Sequence, residues 1–418
     1  MKKIRINGGA PLSGKINLQG SKNSALPIIS ATVAVNGVSV IHNCPKLSDI
    51  DATVKILEHI GCRVKREGET LIVDSTSANN WVIPENLMHE MRSSIIFLGA
   101  LLTRFGAAEL TMPGGCEIGL RPIDLHLSAL STLGAKITET GGEIECSFPS
   151  GAIGGEITLA FPSVGATENI ILAALRSKGE TIIVNAAREP EITDLAAFLN
   201  SCGARISGAG QSVIRIQPAQ LLCGAEHTVI PDRIIASTYM SCVASAGGKI
   251  AICGVASEHL ASVLPVFRAA GCSIISKENE LIVAAPKRLS RVKYIRTMPY
   301  PGFPTDSQAL VMAMLTKADG TSVISEKIFE NRFRHVPELK KMGADIRVED
   351  GCVAVVEGVE HLHGAGVTAT DLRAGCALIA AALGTEGETT IDEIHHIDRG
   401  FENAEQNLRL LGADIIRE

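Results

Sequence analysis

The chain has 418 residues, with 39 Lys and Arg against 45 Asp and Glu, a formal net charge of −6, and only 3% aromatic residues. At roughly 150 residues per domain, this length predicts two or three domains. The acidic balance and the scarcity of stacking residues argue against nucleic acid or an anionic membrane as a partner. Its first residues lack a signal-like apolar stretch, and no run of about 18 apolar residues occurs, so we expect a cytoplasmic protein.

The cysteines and the standard motifs exclude several further classes of site. Eleven cysteines without a CxxC pair are typical of reduced, mostly buried thiols rather than of disulfides or structural zinc. The sequence has no HExxH motif, no Walker loop and no GxGxxG after a strand, so zinc protease, P-loop and dinucleotide sites lack their residues. We therefore expect neither a metal nor a bound cofactor.

A repeat of about 70 residues fills the chain. In each copy an apolar helical stretch is followed by Gly, then by Ala or Cys, then by one variable residue and then by Ile or Val. The glycines of this theme are 68 to 73 residues apart, and they are Gly61, Gly134, Gly203, Gly271, Gly343 and Gly412. Coincidence does not explain six regularly spaced copies, so the sequence predicts six similar structural repeats.

A second glycine is predicted to end another helix, rich in small residues, within each repeat. These glycines are Gly37, Gly106, Gly179, Gly247, Gly320 and Gly387. Each repeat then follows the order strand, helix, Gly, strand, helix, Gly, strand, strand. Helices that are apolar and also rich in Ala, Ser and Gly suit a position inside the protein, covered by sheets. Six such repeats are compatible with one closed ring or with two groups of three.

The two ends of the chain complete each other. The sixth repeat stops at GADIIRE without its last strand, whereas MKKIRING precedes the first repeat and has a strand-like pattern. We infer that the first residues close the sixth repeat. The segment QPAQLLCGAEHTVIPDR (217–233) then marks a crossing between repeats one to three and four to six. This predicts a first domain over 22–230, which carries Cys116, and a discontinuous second domain over 1–21 and 231–418.

The first turn of the first helix in each repeat carries an unusual set of charges. The residues at this position are Lys22, Arg92, Gly165, Arg233, Asp306 and Arg373. Four cations oppose their own helix dipoles there, at a cost of a few tenths to about 1 kcal/mol each, which indicates a compensating anion. Their convergence predicts an anion-binding cleft, and the neighbouring Ser24, Ser93 and Thr167 are expected to cap helices or to donate to a ligand. The alternative is that each arginine pairs with a carboxylate such as Asp232 or Asp371.

Asp306 is the exception in this set, because it places a carboxylate where the equivalent residues are mostly basic. Surrounding cations would keep it ionised and ready to accept a proton from a bound hydroxyl, which is the role of a general base. The alternative role is that of a helix N-cap.

The remaining reactive residues lie in predicted loops. The segment PGGCEIGLRPIDLH (113–126) is rich in glycine and breaks the helical pattern, so we expect a mobile lid. It places Cys116 five residues before Arg121, and a nearby cation favours a reactive thiolate. Arg332 and Arg399 lie in polar turns suited to binding carboxylate or phosphate. The histidine pairs 361/363 and 395/396 have no third ligand at metal spacing, so a structural or surface role is expected.

Several motifs resemble those of a known family. They are SKNSALPI (21–28), PGGCEIGLRPIDLH (113–126), FPSVGATEN (161–169), NAAREPEI (185–192), GFPTDSQA (302–309), IFENRFRHVPEL (328–339), ATDLRAG (369–375) and HHIDRGFEN (395–403). They are similar to motifs of the UDP-N-acetylglucosamine 1-carboxyvinyltransferases, which are enolpyruvyl transferases. The resemblance implies an α/β fold of the inside-out α/β barrel type, with two domains of three repeats each, buried helices and outer mixed sheets.

The resemblance also implies a reaction. The family transfers the enolpyruvyl group of phosphoenolpyruvate to the 3′-hydroxyl of UDP-N-acetylglucosamine, releases phosphate, and begins peptidoglycan synthesis. By this resemblance Cys116 is the general acid and the target of fosfomycin, and Asp306 is the base. A shikimate-pathway enolpyruvyl transferase and a non-catalytic paralogue that senses the nucleotide sugar remain the alternatives. The oligomeric state stays open, and a monomer is compatible with the sequence.

The resemblance assigns the binding residues as well. Lys22, Arg121 and Arg399 would contact the phosphate, and Arg332 and Arg373 the carboxylate, with Arg92 among the convergent cations. Asn23 and Asp371 would hold the tetrahedral intermediate. The uridine nucleotide would contact Arg121, Pro122, Ile123, Asp124, Leu125, Ser163, Val164, Gly165 and Ile328. One departure is Phe161-Pro162, where some relatives carry a lysine at the uridine pocket, and this puts a charged contact to the nucleotide in doubt.

Overall fold

The computed structural model describes residues 2–112 and 123–418. These residues divide into two compact lobes, each with its own apolar core. Lobe A comprises residues 20–112 and 123–230, and lobe B comprises residues 2–19 and 231–418. Every helix within the described ranges is too short or too polar to cross a lipid bilayer.

The strands are short, as expected for a repeat that alternates strands and helices. Within the described residues they are β1 (Ile4–Asn7), β2 (Leu12–Asn17), β3 (Val38–His42), β4 (Arg63–Glu67), β5 (Thr70–Asp74), β6 (Val82–Ile83), β7 (Ala107–Thr111), β8 (Lys136–Thr140), β9 (Glu143–Ser147), β10 (Gly155–Thr158), β11 (Thr181–Val184), β12 (Arg205–Ser207), β13 (Val213–Gln217), β14 (Glu226–Thr228), β15 (Gly248–Cys253), β16 (Ser273–Lys277), β17 (Glu280–Ala284), β18 (Tyr294–Arg296), β19 (Thr321–Ser325), β20 (Asp345–Glu349), β21 (Val353–Glu357), β22 (Gly366–Thr368), β23 (Glu388–Asp392) and β24 (Asp414–Arg417).

The helices alternate with these strands. They are α1 (Lys22–Ala31), α2 (Ser48–Ile60), α3 (Glu85–Met88), α4 (Phe97–Phe105), α5 (Asp124–Thr132), α6 (Val164–Ala174), α7 (Pro190–Ser201), α8 (Arg233–Ala246), α9 (Leu264–Ala269), α10 (Thr305–Leu315), α11 (Val336–Lys341), α12 (Leu372–Leu383), α13 (His395–Asp398) and α14 (Ala404–Leu410). Short 3₁₀ helices occupy Arg92–Ile96 and Ser257–Leu260.

The sheets repeat one topology six times in the described chain. Lobe A contains the four-stranded sheets β14-β3-β5-β4, β6-β7-β9-β8 and β10-β11-β13-β12, and lobe B contains β16-β17-β15-β2, β18-β19-β21-β20 and β22-β23-β1-β24. In every sheet one edge strand is parallel to its neighbour, and the other two pairings are antiparallel. These six mixed sheets confirm the six predicted repeats.

The first strand of the chain completes the last repeat, as its sequence predicted. Strand β1 lies between β23 and β24, and Ile4 is opposite Ile391 on one side and Arg417 on the other. Ile4 and Ile6 are fully buried. The two ends of the chain are therefore joined in one sheet of lobe B.

The sheet partners of two edge strands were not predicted. Strand β2 directly precedes α1 in the chain, but it pairs with β15 in lobe B. Strand β14 directly precedes α8, but it pairs with β3 in lobe A. Each passage of the chain from one lobe to the other thus separates an edge strand from the helix that follows it.

The repeated glycine theme has one backbone geometry throughout. All six theme glycines adopt a positive φ between 92° and 103°, which a residue with a Cβ rarely adopts. At each site the amide of the residue after the glycine donates to the carbonyl of the residue five positions before that amide. Cys62 N donates to Leu57 O in this way, and Ala413 N donates to Leu408 O. This is the Schellman end of a helix, and it explains why a glycine recurs there.

The role predicted for the second glycine is correct in only part of the chain. Gly106 and Gly247 follow α4 and α8 directly. Helix α6 ends earlier, at Ala174 before Gly179, and α1, α10 and α12 also end several residues before their glycines. In α1, α10 and α12, a threonine hydroxyl beyond the helix donates to one of its last carbonyls, at 2.6–2.7 Å. That bond satisfies the helix end without a glycine. The residues concerned are Thr32, Thr316 and Thr385.

The core of each lobe is made of helices, and the sheets cover them. In lobe B every residue of α12 is buried, and so are the first twelve residues of α8. The strands alternate buried and exposed residues, as in the pattern of β21 and β13, so only one face of each sheet contacts the core. Helices inside and mixed sheets outside confirm the predicted fold class, with separate sheets rather than one closed barrel in the described residues.

Candidate functional site

The predicted charge set lies at equivalent positions in the structure. Lys22 and Arg233 are the first residues of α1 and α8, Arg92 begins a 3₁₀ helix, and Gly165, Asp306 and Arg373 are the second residues of α6, α10 and α12. All six residues therefore lie in the first turn of a helix, as the spacing of the repeat predicted. Lobe A holds positions 22, 92 and 165, and lobe B holds positions 233, 306 and 373.

The residues that cap these helices differ from those expected. Ser21 Oγ and Ser163 Oγ each accept an amide hydrogen bond at 3.3 Å, whereas the Ser24 hydroxyl donates to Asp194 and the Thr167 hydroxyl donates to the Ser163 carbonyl. The expectation of capping by Ser24 and Thr167 was therefore wrong. A true cap precedes the helix, and both residues already lie inside it.

The two carboxylates considered as partners of the arginines are also caps. One oxygen of Asp232 accepts the amides of residues 234 and 235 at 2.8 and 3.0 Å. One oxygen of Asp371 accepts the amides of residues 373 and 374 at 2.9 and 3.1 Å. Both acids therefore stabilise helix N-termini. The Arg373 guanidinium donates through Nε to Asp306 Oδ1.

In lobe B, Asp306 forms the centre of a charged cluster. Its Oδ1 accepts hydrogen bonds from Arg332 Nη2 and from Arg373 Nε, each at 2.9 Å. The two arginine side chains are 4% and 8% exposed, and the Asp306 side chain is 29% exposed. The N-cap position of α10 is occupied by Pro304, so the alternative role of Asp306 as an N-cap is wrong.

The electrostatics of this cluster keep Asp306 ionised. Burial alone raises the pKa of Asp306, but the charges of Arg373 and Arg332, helped by Arg233, outweigh it and hold the pKa well below its usual range. Burial lowers the pKa of Arg373, and the charges of Asp306 and Asp232 more than offset that effect. With both arginines bound to it, Asp306 is a weak base.

A buried carboxylate that the sequence did not reveal fixes the loop beside Asp306. Glu326 accepts hydrogen bonds from the hydroxyls of Thr297 and Thr305 at 2.7 and 2.9 Å and from the Ile328 amide at 2.7 Å. Thr305 is the first residue of α10, directly before Asp306. Glu326 therefore holds the backbone of Ile328 close to the start of α10.

In lobe A, Lys22 has a carboxylate partner. Its Nζ lies 3.0 Å from Asp49 Oδ2, and the two side chains are 11% and 4% exposed. Asp49 belongs to the first turn of α2, where an acidic residue is ordinary, so the sequence gave no sign of this pair. Asn23 follows Lys22 in α1 and is half-buried.

The starts of α5 and α6 also lie together in lobe A. His126 Nδ1 accepts a hydrogen bond from Asn169 Nδ2 at 2.7 Å, and a Cβ on Gly165 would lie 3.1 Å from His126 Cε1. A side chain at position 165 would therefore crowd the His126 ring. This close approach brings Ser163 and Val164 near the first turn of α5, which contains Asp124 and Leu125 directly after the buried Ile123.

The expected loop over 113–126 needs one correction. Helix α5 begins at Asp124, so Asp124, Leu125 and His126 are helical and do not belong to a loop. An acidic residue in the first turn, as at Asp124, favours the start of a helix. Cys116, Arg121 and Pro122, and with them the predicted lid, lie outside the described residues, as does the side chain of Arg92.

The last predicted cation, Arg399, lies directly after α13 in lobe B, at its C-terminal end. A cation at that end interacts favourably with the helix dipole. Within residues 2–112 and 123–418, no three His, Cys, Asp or Glu side chains gather as metal ligands.

A buried histidine next to the cluster predicts a pH-dependent stability. His335 is 1% exposed, and burial lowers its pKa to about 4, although the charge of Asp371 partly opposes this effect. The folded protein thus binds a proton at His335 less readily than the unfolded chain does. This contribution to stability is complete above about pH 6.5 and decreases toward pH 4, by on the order of 3 kcal/mol.

We therefore expect His335→Gln to weaken the dependence of the melting temperature on pH between about pH 7 and pH 4.5. His361→Gln is the matched control, because the His361 side chain is 67% exposed. Differential scanning calorimetry across this range checks the prediction. Equal pH dependence in wild type and both variants would contradict it.

Comparison with known proteins gives the family. A family model described as EPSP synthase (3-phosphoshikimate 1-carboxyvinyltransferase) matches residues 6–408. UDP-N-acetylglucosamine 1-carboxyvinyltransferase 2 of Caldanaerobacter subterraneus subsp. tengcongensis is 49% identical, over 100% of both chains. The chain belongs to the UDP-N-acetylglucosamine 1-carboxyvinyltransferase family. Another relative with this family name, from Trichlorobacter lovleyi, is 48% identical over 100% of this chain and 99% of its own.

Solved structures of enolpyruvyl transferases share this fold. The enolpyruvyl transferase NikO from Streptomyces tendae superposes with a TM-score of 0.90 at 25% identity, over 100% of this chain and 98% of that one. EPSP synthase from Acinetobacter baumannii superposes with a TM-score of 0.77 at 17% identity, over 100% of both chains, and this likeness shows the fold alone.

Proposed function

We propose that this protein transfers the enolpyruvyl group of phosphoenolpyruvate to the 3′-hydroxyl of UDP-N-acetylglucosamine and releases phosphate. In a bacterial cell this is the first committed step of peptidoglycan synthesis, and it takes place in the cytoplasm. The observation that carries the proposal is the 49% identity, over the full length of both chains, to a relative named for this activity. The 17% identity to an EPSP synthase does not favour the shikimate-pathway alternative.

The cations of the charge set support phosphoenolpyruvate as the donor. This molecule carries a phosphate and a carboxylate within a few atoms, and desolvating both requires several cations. We assign Lys22, Arg121 and Arg399 to the phosphate, and Arg332 and Arg373 to the carboxylate. The burial of Arg332 and Arg373 supports this assignment, because buried guanidinium groups bind a carboxylate more strongly than exposed ones do.

The reaction proceeds by addition and elimination. In the addition, the Cys116 thiol protonates the methylene carbon of the donor, the sugar hydroxyl oxygen bonds to the adjacent carbon, and Asp306 accepts the hydroxyl proton. In the elimination, the Cys116 thiolate formed in the addition takes a proton from the new methyl group as the carbon–oxygen bond to phosphate breaks and phosphate leaves. Asn23 and Asp371 hold the tetrahedral intermediate between the two steps.

The double hydrogen bond to Asp306 suggests how its base strength changes. A donor carboxylate at Arg332 and Arg373 competes with Asp306 Oδ1 for the same two guanidinium groups. Losing part of that pairing raises the pKa of Asp306 toward its usual range. The carboxylate thus becomes a better base when phosphoenolpyruvate is bound.

The acceptor nucleotide is assigned to the paired helix starts of lobe A. The uridine moiety contacts residues 121–125 and 163–165, together with Ile328. The close approach of α5 and α6 at Gly165 supports this assignment for the described residues. The same proposal assigns the domains as 22–230 and 1–21 with 231–418, and the three sheets in each lobe support it.

Phosphate release tests the proposal. The wild-type protein with phosphoenolpyruvate and UDP-N-acetylglucosamine should release phosphate, and omitting either substrate or supplying shikimate 3-phosphate instead of the nucleotide sugar should abolish release. Cys116→Ala should be inactive, and fosfomycin should label Cys116 in the wild type alone. Release with shikimate 3-phosphate would favour the shikimate-pathway alternative. Binding of the nucleotide sugar without any release near neutral pH would favour the sensing paralogue.

A further inference from the structure

A buried carboxylate of lobe A lies behind the helix turn that carries Lys22 and Asn23. Asp194, in α7, is 5% exposed. It accepts a hydrogen bond from the Ser24 hydroxyl, one from His227 Nε2 at 2.8 Å, and one from the Ile230 amide at 3.2 Å. Three donors from two segments of the chain, the first turn of α1 and residues 227–230, thus converge on one carboxylate.

These two segments are also joined to each other by a backbone hydrogen bond. The amide of Ser21, the N-cap of α1, donates to the Ile230 carbonyl at 2.8 Å. The Ile230 amide donates to Asp194, so Ile230 connects the start of α1 to the carboxylate. Next to it, the Val229 carbonyl accepts a hydrogen bond from Asn43 Nδ2 at 2.9 Å. The first turn of α1 is therefore fixed both through Ser21 and through Ser24.

The order of the three side chains argues for orientation rather than nucleophilic chemistry. In a Ser-His-Asp triad the imidazole lies between the hydroxyl and the carboxylate and accepts the hydroxyl proton. Here the carboxylate lies between Ser24 and His227, so the hydroxyl donates to an acceptor that holds it in place. Ser24 is fully buried as well. The arrangement constrains the position of Ser24 and of the turn around it.

We propose that Asp194 is a positioning residue for Lys22 and Asn23, a role that rests on the proposed function. Lys22 and Ser24 belong to the same turn of α1, so a shift of Ser24 also shifts the Lys22 ammonium group and its bond to Asp49. A displacement of about 1 Å at a binding group is enough to reduce a rate by as much as a hundredfold. Asp194 acts through Ser24 and does not itself contact a substrate.

The test compares two serines of the same helix. Ser24→Ala removes the bond to Asp194, whereas Ser30→Ala removes an equally buried hydroxyl that donates to the Leu26 carbonyl at 2.9 Å, two turns further along α1. We expect Ser24→Ala to lower kcat/KM for phosphoenolpyruvate by about tenfold to a hundredfold, with KM for the nucleotide sugar changed less than about twofold. Ser30→Ala should keep both constants within about twofold of wild type.

A double-mutant cycle separates positioning from a general loss of stability. Asp194→Asn should lower kcat/KM for phosphoenolpyruvate at least as much as Ser24→Ala, and the two changes together should cost little more than Asp194→Asn alone. Melting temperatures measured alongside show whether Ser24→Ala and Ser30→Ala are equally stable. Equal kinetics for these two variants at equal stability, or full additivity with Asp194→Asn, would overturn the positioning role. Inactive wild-type protein would instead refute the proposed function.

Discussion

Replacing Asp306 with asparagine is expected to reduce the rate of phosphate release by about a hundredfold to ten-thousandfold, the range typical of a lost general base. Asparagine preserves the shape of the side chain but does not accept a proton from the sugar hydroxyl. It also removes the negative charge that Arg332 and Arg373 share through Oδ1. Steady-state measurement of phosphate release with both substrates checks this prediction.

The control for this change is Asp345→Asn, because Asp345 is an exposed residue of β20. It should release phosphate at the wild-type rate. Asp306→Asn should also unfold at a lower temperature, since two buried arginines lose their carboxylate. The loss should be smaller than the roughly 3–5 kcal/mol typical of fully buried pairs, because the Asp306 side chain is 29% exposed. A rate within tenfold of wild type would contradict the role of Asp306 as the base.

The largest expected effect on stability comes from the first strand of the chain. Ile6 is fully buried in β1, which is an inner strand of its sheet and pairs with both β23 and β24. Ile6→Asp places an unpaired charge against the core of lobe B, and we expect a loss of more than about 4 kcal/mol. Urea unfolding of the full chain, followed by circular dichroism, should show an earlier transition or an unfolded lobe B at zero urea.

The neighbouring residue provides the control for this experiment. Asn7 belongs to the same strand, but it is exposed and donates to Asp414 at 2.8 Å. Asn7→Ser should change the urea midpoint only slightly, because exposed polar contacts contribute little. Equal midpoints for Ile6→Asp and Asn7→Ser would show that β1 is not needed for the stability of lobe B.

Much of the fold followed from patterns within a single repeat. The theme glycines recur because the αL end of a helix imposes the same local geometry six times, at Gly61 as at Gly412. Once the repeat was aligned with itself, Asp306 stood out as a carboxylate at a position mostly occupied by cations. The missing strand at the end of the chain led directly to β1, because a repeat with one strand too few requires another strand to pair with.

The pairing partners of two edge strands were decided only in three dimensions. Strands β2 and β14 precede equivalent helices in equivalent repeats, so either one fits either sheet by its local pattern. The pairing of β2 with β15 and of β14 with β3 depends on where the chain passes between the lobes, and no local signal encodes that choice.

The same limit applies to the partners of the charged residues. The sequence by itself determined which residues begin the helices and that cations gather at those positions, since both follow from spacing along one repeat. Only the tertiary structure decided that Lys22 pairs with Asp49 and that Arg332 and Arg373 share one oxygen of Asp306. It also decided that Asp194 binds Ser24, 170 residues away in the chain. Such contacts depend on the packing of segments that are distant in the chain. The residues around a carboxylate in the sequence therefore do not indicate which donor it binds in the folded protein.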